Sequence, residues 1–297
     1  MRVFLTGGSG FIGGHVLRAL SERGHEVTCL LRGEAARGRQ ARALPGTRVV
    51  EGEFTRPETW LRHVSGHDTV VNAVGIIREA PGSRFETVHA DAPIALFEAA
   101  AEAGLRKIVQ ISAMGADEGA ASRFHLSKRA ADRRLAGLGV PYVVLRPSQV
   151  YGPGDHSMSF FRSLAALPVT PVPGDGQSLL QPVHVQDVTR AVLLAVEQEG
   201  LHGLAVDLGG AETVTLDALL DALARRLGKR RARKLHLPWS LMRLVAAVTD
   251  ALGGRGPITR EELGMLRRGN AGDNGPFIRR FGFRPMALEE GLTLGPQ

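Results

Sequence analysis

Glycines 7, 8, 10 and 13 of the opening MRVFLTGGSGFIG stand between a short apolar run and a helical pattern, a placement suited to holding phosphate. Val3 to Leu5 suits the central strand of a parallel sheet, buried on both faces. Gly7 and Gly10, lacking side chains, permit a tight turn and close backbone approach to a pyrophosphate. Gly13 lets the next helix pack closely on the strand. The N–H groups at that helix start, from Phe11 and Ile12 onward, would face the phosphates. Such a fingerprint is weak alone, because any glycine-rich turn can match it. Here Phe11, Ile12, Val16, Leu17 and Leu20 follow at helical spacing, which supplies the strand-to-helix context.

Arg32 ends the next strand-like run, where Asp or Glu would bind the adenosine ribose hydroxyls of NAD. A guanidinium there favours a 2′-phosphate through charge-assisted hydrogen bonds. NADP(H) is therefore the expected cofactor and NAD(H) the alternative; Glu34 and Arg37 follow closely, and a shift of that loop would change the choice. Ser112 ends the fifth strand-like run, at the carboxyl edge where ligands collect in doubly wound sheets. His63 and His67 are four apart, but Gly66 interrupts them and no H-E-x-x-H pattern occurs, so no metal site is expected.

The elements that must position these residues alternate. Strand-like runs at Val3 to Leu5, Glu26 to Leu31, Arg48 to Val50, Thr69 to Ala73, Lys107 to Ser112 and Pro141 to Leu145 are separated by helix-length segments. This predicts an α/β fold with a doubly wound parallel sheet. Ala90 to Ala103 and Ser122 to Leu138 read as helices ended by glycines. After Arg146 the texture becomes rich in Pro and Gly, with a helix near Ser159 to Leu167. The division expected is a dinucleotide-binding Rossmann domain over 1–150, to which 184–208 returns, and a smaller, mainly helical domain over 151–297. Thr215 caps a helix over Leu216 to Leu227, and further helices are expected around Ser240 to Leu252 and Thr259 to Arg268.

Composition narrows the partners. The chain has 297 residues, is 43% hydrophobic and carries a formal charge of +7. Residues 1–150 hold 20 basic and 15 acidic side chains and the remainder 17 and 15, so neither half is a basic domain. With two Trp and two Tyr there are few platforms for base stacking, which argues against nucleic acid. Cys29 is the single cysteine and reads as a small buried hydrophobe; no disulfide can form within the chain. A reducing cytoplasm fits, and neither a signal peptide nor a transmembrane run is apparent. Residues 229–234, KRRARK, precede an apolar stripe of Leu241, Leu244, Val245, Val248 and Leu252. Packing inside its own domain is the first expectation for that stripe, and a basic, Trp-bearing surface for anionic lipid or a membrane partner is the second.

Taken in order, TGGSGFIG at 6–13, NAVG at 72–75, QIS at 110–112, Lys128, LRPSQVYGPGD at 145–155 and QPVHVQDV at 181–188 resemble an extended short-chain dehydrogenase/reductase. The run ISAMGADEGAASRFHLSKRAADRRL, 111–135, is most similar to an atypical branch. That branch includes the NADPH-binding accessory subunit of respiratory complex I and its bacterial relatives, described as epimerase/dehydratase-like. The resemblance implies that Lys128 hydrogen-bonds the nicotinamide ribose and that Ser112 polarises a substrate carbonyl. It implies that Glu53 and Phe54 lie near adenine, that Asn72, Ala73, Val74 and Gly75 run along the cofactor, and that Pro147 and Val150 complete the site. It makes His184 and Asp187 structural, and it raises contact with a membrane or a respiratory complex as a possibility to be weighed.

One departure matters chemically. Active members place a tyrosine four residues before the lysine, one helical turn away, so that the ammonium lowers the phenol pKa for proton transfer. Position 124 is Phe, which has no acidic proton. Tyr151, His125 and Ser112 stand as substitute donors, although His125 is rotated about 100° from position 124. Two functions follow from the resemblance. One is an NADP(H)-dependent oxidoreductase acting on a carbonyl, quinone or sugar-like substrate. The other is a non-catalytic NADPH-binding protein with a structural or assembly role.

Overall fold

A computed structural model describes residues 1–33, 44–155 and 157–294 of the chain. Seven strands form the main sheet: β1 (Arg2–Thr6), β2 (Glu26–Leu31), β3 (Thr47–Glu51), β4 (Thr69–Asn72), β5 (Lys107–Ile111), β6 (Tyr142–Pro147) and, much later, Leu204–Leu208. From that late strand their spatial order continues β6, β5, β4, β1, β2, β3. The pairs β3–β2, β2–β1, β1–β4, β4–β5 and β5–β6 are all parallel. Strand order reverses between β1 and β4, the topological switch point at which doubly wound sheets bind ligands. Thr6 and Asn72, at the carboxyl ends of these two strands, are joined there by a 2.6 Å hydrogen bond from the threonine hydroxyl.

The inner strands are apolar on both faces because helices cover both, and every residue of β4 and β5 is buried. Helix α1 (Phe11–Glu22) buries Val16, Leu17 and Leu20 and stops before Gly24, whose φ is +77°. A single π-helical turn (Glu86–Asp91) leads into α2 (Ala92–Glu102), so the helical segment expected from Ala90 begins four residues earlier. Helix α3 (Arg123–Ala136) is capped by Ser122, whose hydroxyl accepts from the His125 N–H, and it buries His125, Ser127, Lys128, Ala131, Asp132 and Leu135. Phe4, Trp60, Leu96, Phe97, Ile108 and Leu135 centre one core cluster.

The described residues divide into two compact units. The first draws on Met1–Arg146, Val188–Asp207 and Pro276–Gly282; the second draws on Pro147–Asp187, Leu208–Gly275 and the segment from Phe283. The second unit contains β7 (Val150–Tyr151), α4 (Ser157–Ala166), β8 (Thr170–Pro173), β9 (Leu179–Leu180) and β10 (Val183–His184). Helix α5 (Val185–Glu197) and the late strand, β11, follow. After them come β12 (Val214–Thr215), α6 (Leu216–Arg226), β13 (Lys234–Leu237), α7 (Trp239–Ala251), α8 (Arg260–Arg268), α9 (Gly275–Phe281) and α10 (Leu288–Thr293). Short two-stranded pairings β7–β10, β9–β12 and β8–β13 interrupt what the sequence presents as a helical tail. Tyr151, Met158, Leu219, Leu220, Leu223 and Leu288 lie in its core. No helix among the described residues is long and apolar enough to cross a membrane.

Candidate functional site

The glycine turn closes in the space left by absent side chains. Gly7 takes φ +80°, a conformation L side chains rarely adopt, and a Cβ there would lie 2.6 Å from the Ala73 carbonyl carbon. Gly10 N–H donates to the Gly7 carbonyl at 2.9 Å, and a Cβ on Gly13 would overlap that same carbonyl. Gly10 caps α1 without any side-chain hydrogen bond. The first-turn N–H groups of Phe11, Ile12 and Gly13 have no intrahelical acceptor, which makes this helix start a receptor for an anion. A dinucleotide fits this cradle chemically.

Lys128 reaches the same segment that Gly7 touches. The lysine is buried, and its Nζ donates to the carbonyls of Val74 at 3.1 Å and Ile111 at 3.2 Å. Burial pushes its pKa down to about 8 against an upward pull from Asp132. His89, from the π turn, holds the same loop. It is fully buried, and the Ile76 N–H donates to its Nε2 at 3.0 Å. Burial and the nearby Lys128 lower its pKa to about 2, so the ring is neutral and Nδ1 carries the proton. Nδ1 lies 3.1 Å from the Ser127 hydroxyl, which donates to the Phe124 carbonyl at 2.8 Å. Asn72 is a further fixed point: it accepts from Thr6 and from the Val74 N–H at 3.2 Å, and donates to Gln110 at 2.7 Å.

Ser112 is directed at α3. Its hydroxyl donates to Asp132 Oδ2 at 2.6 Å, and Arg146 Nε lies 3.7 Å from that oxygen. Asp132 Oδ1 is buried and makes no hydrogen bond among the described residues. Burial raises the Asp132 pKa to about 6 despite the Ser112 bond and the Arg146 charge. The half-buried Phe124 ring meets Phe85, His89 and His125 edge-on at centroid separations of 5.8, 5.2 and 5.1 Å. His125 Nδ1 lies 2.8 Å from the Ser122 hydroxyl, which ties its ring to the N-cap. Tyr151 is in the interior of the second unit, its hydroxyl donating to the Leu288 carbonyl at 3.3 Å, and burial raises its pKa. His184 stacks edge-on against Tyr151 at 5.2 Å, and Asp187 accepts from the Met286 N–H at 2.8 Å.

Beyond the carboxyl ends of β2 and β3, exposed Arg32 and half-buried Glu53 approach to 3.7 Å. The Phe54 ring is buried in the core and stacks on Trp60 at 6.0 Å. Glu34 and Arg37 lie outside the described residues. Pro147 closes β6, and Val150 pairs with Val183 in the second unit. His67 bonds Thr28 at 2.8 Å and the Val64 carbonyl at 3.0 Å, and no group of His, Cys, Asp and Glu among the described residues is arranged to hold a metal.

Sequence reasoning missed His89 and Asp132. Asp132 carried a readable signal, since it lies one helical turn beyond Lys128 on the same face. His89 carried none beyond its polar character within an apolar helical run.

A parallel sheet with its order reversed at a glycine turn defines a doubly wound, nucleotide-binding α/β protein. Residues 3–209 match the family model for the NAD dependent epimerase/dehydratase family, and the chain belongs to that family. It is 30% identical over 257 residues to the ceramide reductase of Caulobacter vibrioides, covering 84% of this chain and 77% of that protein. It is 26% identical over 261 residues to the mitochondrial NADH dehydrogenase [ubiquinone] 1 alpha subcomplex subunit 9 of Arabidopsis thaliana, covering 84% and 64%. Among solved structures, UDP-glucose 4-epimerase from Thermotoga maritima superposes with a TM-score of 0.76 at 22% identity, over 99% of this chain and 97% of that one. MoeE5, solved with UDP-glucose and NAD, gives 0.75 at 21%, over 99% and 97%.

Proposed function

We propose that the first unit binds NADP(H) and that the protein is an atypical reductase-like member of its family, with a carbonyl, quinone or sugar-like compound as hydride partner. The observation that carries this reading is the convergence on residues 73–75. A side chain on Gly7 would overlap Ala73 and Val74, so the glycine turn abuts that segment, and the Lys128 ammonium holds the Val74 carbonyl. Bound there, a nicotinamide dinucleotide supplies hydride chemistry. Gly7, Gly10, Phe11, Ile12 and Gly13 would hold its pyrophosphate, and the remaining Lys128 N–H its ribose hydroxyls. Arg32 would take the 2′-phosphate. Its exposed pairing with Glu53 is worth only about 0–1 kcal/mol, so exchanging that partner for a phosphate costs little.

A second reading is supported by the proton inventory. Phe124 has no proton to give, the Ser112 proton points to Asp132, and the Tyr151 hydroxyl is committed to a backbone carbonyl. These commitments favour a nucleotide bound for stability or for presentation to a partner. Hydride transfer separates the readings. One member of a panel of ketones, enones, quinones and nucleotide sugars should oxidise NADPH stoichiometrically if the protein is a reductase, with deuterium from C4 appearing on carbon where the acceptor is a carbonyl or an enone. Tight NADPH binding with no NADPH oxidation across the panel would overturn the reductase and leave the non-catalytic binder.

A further inference from the structure

Helix α7 turns its large apolar side chains outward. Leu241, Leu244, Val248 and Leu252, the last being its C-cap, recur at intervals of three and four and fall within an arc of about 80° around the axis. They are 43, 62, 52 and 60% exposed, whereas the buried residues of this helix are Ala246 and Thr249. A helix packed on a water-facing surface shows the opposite arrangement, with its large apolar residues toward the core. The expectation that this stripe packs inside its own domain is therefore corrected for four of its five members: Val245 is half-buried, the other four face outward, and the small residues Ala246 and Thr249 face inward.

The sequence flanking the same helix is rich in positive charge. Residues 225–268 contain 12 Lys and Arg against three Asp and Glu, an excess larger than the +7 of the whole chain. Arg230, Arg231, Arg233, Arg243, Arg255 and Arg267 are exposed. A cleft of about 360 Å³ beside α7 is lined by Arg243, Arg260, Leu263 and Gly264. At the start of α7 the half-buried Trp239 carries the Arg267 guanidinium 5.7 Å from its ring centroid.

We propose that this face of the second unit docks on an anionic lipid bilayer, with the Leu241–Leu252 stripe entering the boundary between headgroups and acyl chains and the arginines facing phosphates. Charge complementarity selects the occupant. A bilayer rich in anionic lipid offers an apolar interior directly beneath a continuous negative surface, which matches an exposed apolar helix set in an arginine-rich segment. A helix of this length lies in the interface and does not span it. The inference goes beyond the nucleotide site and uses none of its residues.

The test is flotation of the full chain with vesicles of phosphatidylcholine alone and of phosphatidylcholine with phosphatidylglycerol, at low and high salt. Binding to the anionic vesicles is expected at least about tenfold tighter than to the neutral ones, falling with added salt. Leu244→Asp with Val248→Asp, and separately Arg230→Glu with Arg231→Glu, should each weaken binding at least about tenfold with far-UV circular dichroism and NADPH affinity unchanged. Equal partition onto both vesicle types, or none onto the anionic ones at low salt, overturns the proposal without recourse to any variant. A concentration-dependent dimer that the leucine and valine substitutions abolish, with no vesicle binding, assigns the face to a second copy and also overturns it.

Discussion

An ammonium removed from water is tolerated when its protons find acceptors, and Lys128 meets that condition on two backbone carbonyls while its pKa falls to about 8. Asp132, one turn along α3, is the costlier group. One carboxylate oxygen has the Ser112 hydroxyl and the other has no partner among the described residues, so its pKa rises to about 6. A raised carboxyl pKa means that its full contribution to stability is present below its unfolded value, near 3.8, and is lost as pH rises through about 6. Asp132→Asn keeps an acceptor for Ser112 and removes the charge. Its stability relative to the parent should grow between pH 4 and pH 7, by at most about 3 kcal/mol, measured by urea unfolding across that range. His89 works in the opposite sense, since its pKa near 2 makes stability fall as pH drops below 6.5. The difference between variant and parent isolates Asp132 because His89 is common to both. A difference that is flat with pH would show Asp132 to be ionised in the fold without penalty.

At the scale of elements, the glycine turn and the helix caps are set by local chemistry and can be broken locally. Gly13→Ala drives a methyl into the Gly7 carbonyl, a backbone group that cannot swing aside. It should cost about 1–3 kcal/mol and abolish NADPH binding, read by chemical unfolding and by quenching of protein fluorescence. Thr259 and Glu262 form a reciprocal capping box at the start of α8. Thr259→Ala should cost about 1 kcal/mol and leave NADPH affinity unchanged, because it lies in the second unit. Strand β2 was legible to the residue, since a continuous apolar run bounded by turn residues leaves little choice of register. The two-residue strands were not, because Val150 pairs with Val183 and Leu180 with Val214 only through long-range closure. The π turn was illegible because apolar periodicity over Glu86–Asp91 does not distinguish i+4 from i+5 bonding. At the site, the glycine turn and Lys128 could be read from motif and spacing. His89 could not, since a polar residue on a helix face signals solvent until a neighbouring loop brings it inside, and Asp132 was marked only by its place one turn beyond Lys128. The α7 stripe shows the same limit: periodicity defines a face but not what covers it.

Over the whole molecule, charge and core are distributed unevenly. The first unit is organised around a sheet whose inner strands are apolar on both faces, while the second holds the segment whose excess charge exceeds that of the chain. Ligand binding to the folded state adds stability by mass action, about 2.7 kcal/mol at a hundred times the dissociation constant. Saturating NADPH should therefore raise the thermal midpoint of the parent and leave that of Gly13→Ala unmoved. The turn at residues 7–13 and Arg32 are together expected to select NADP(H). Titration calorimetry of the parent and of Arg32→Ala, each with NADPH and with NADH, tests it most directly. The parent should bind NADPH more tightly than NADH, and Arg32→Ala should lower NADPH affinity about tenfold while NADH affinity hardly changes. Equal affinities in the parent would contradict the role of Arg32, and absence of heat with either nucleotide would contradict the site itself.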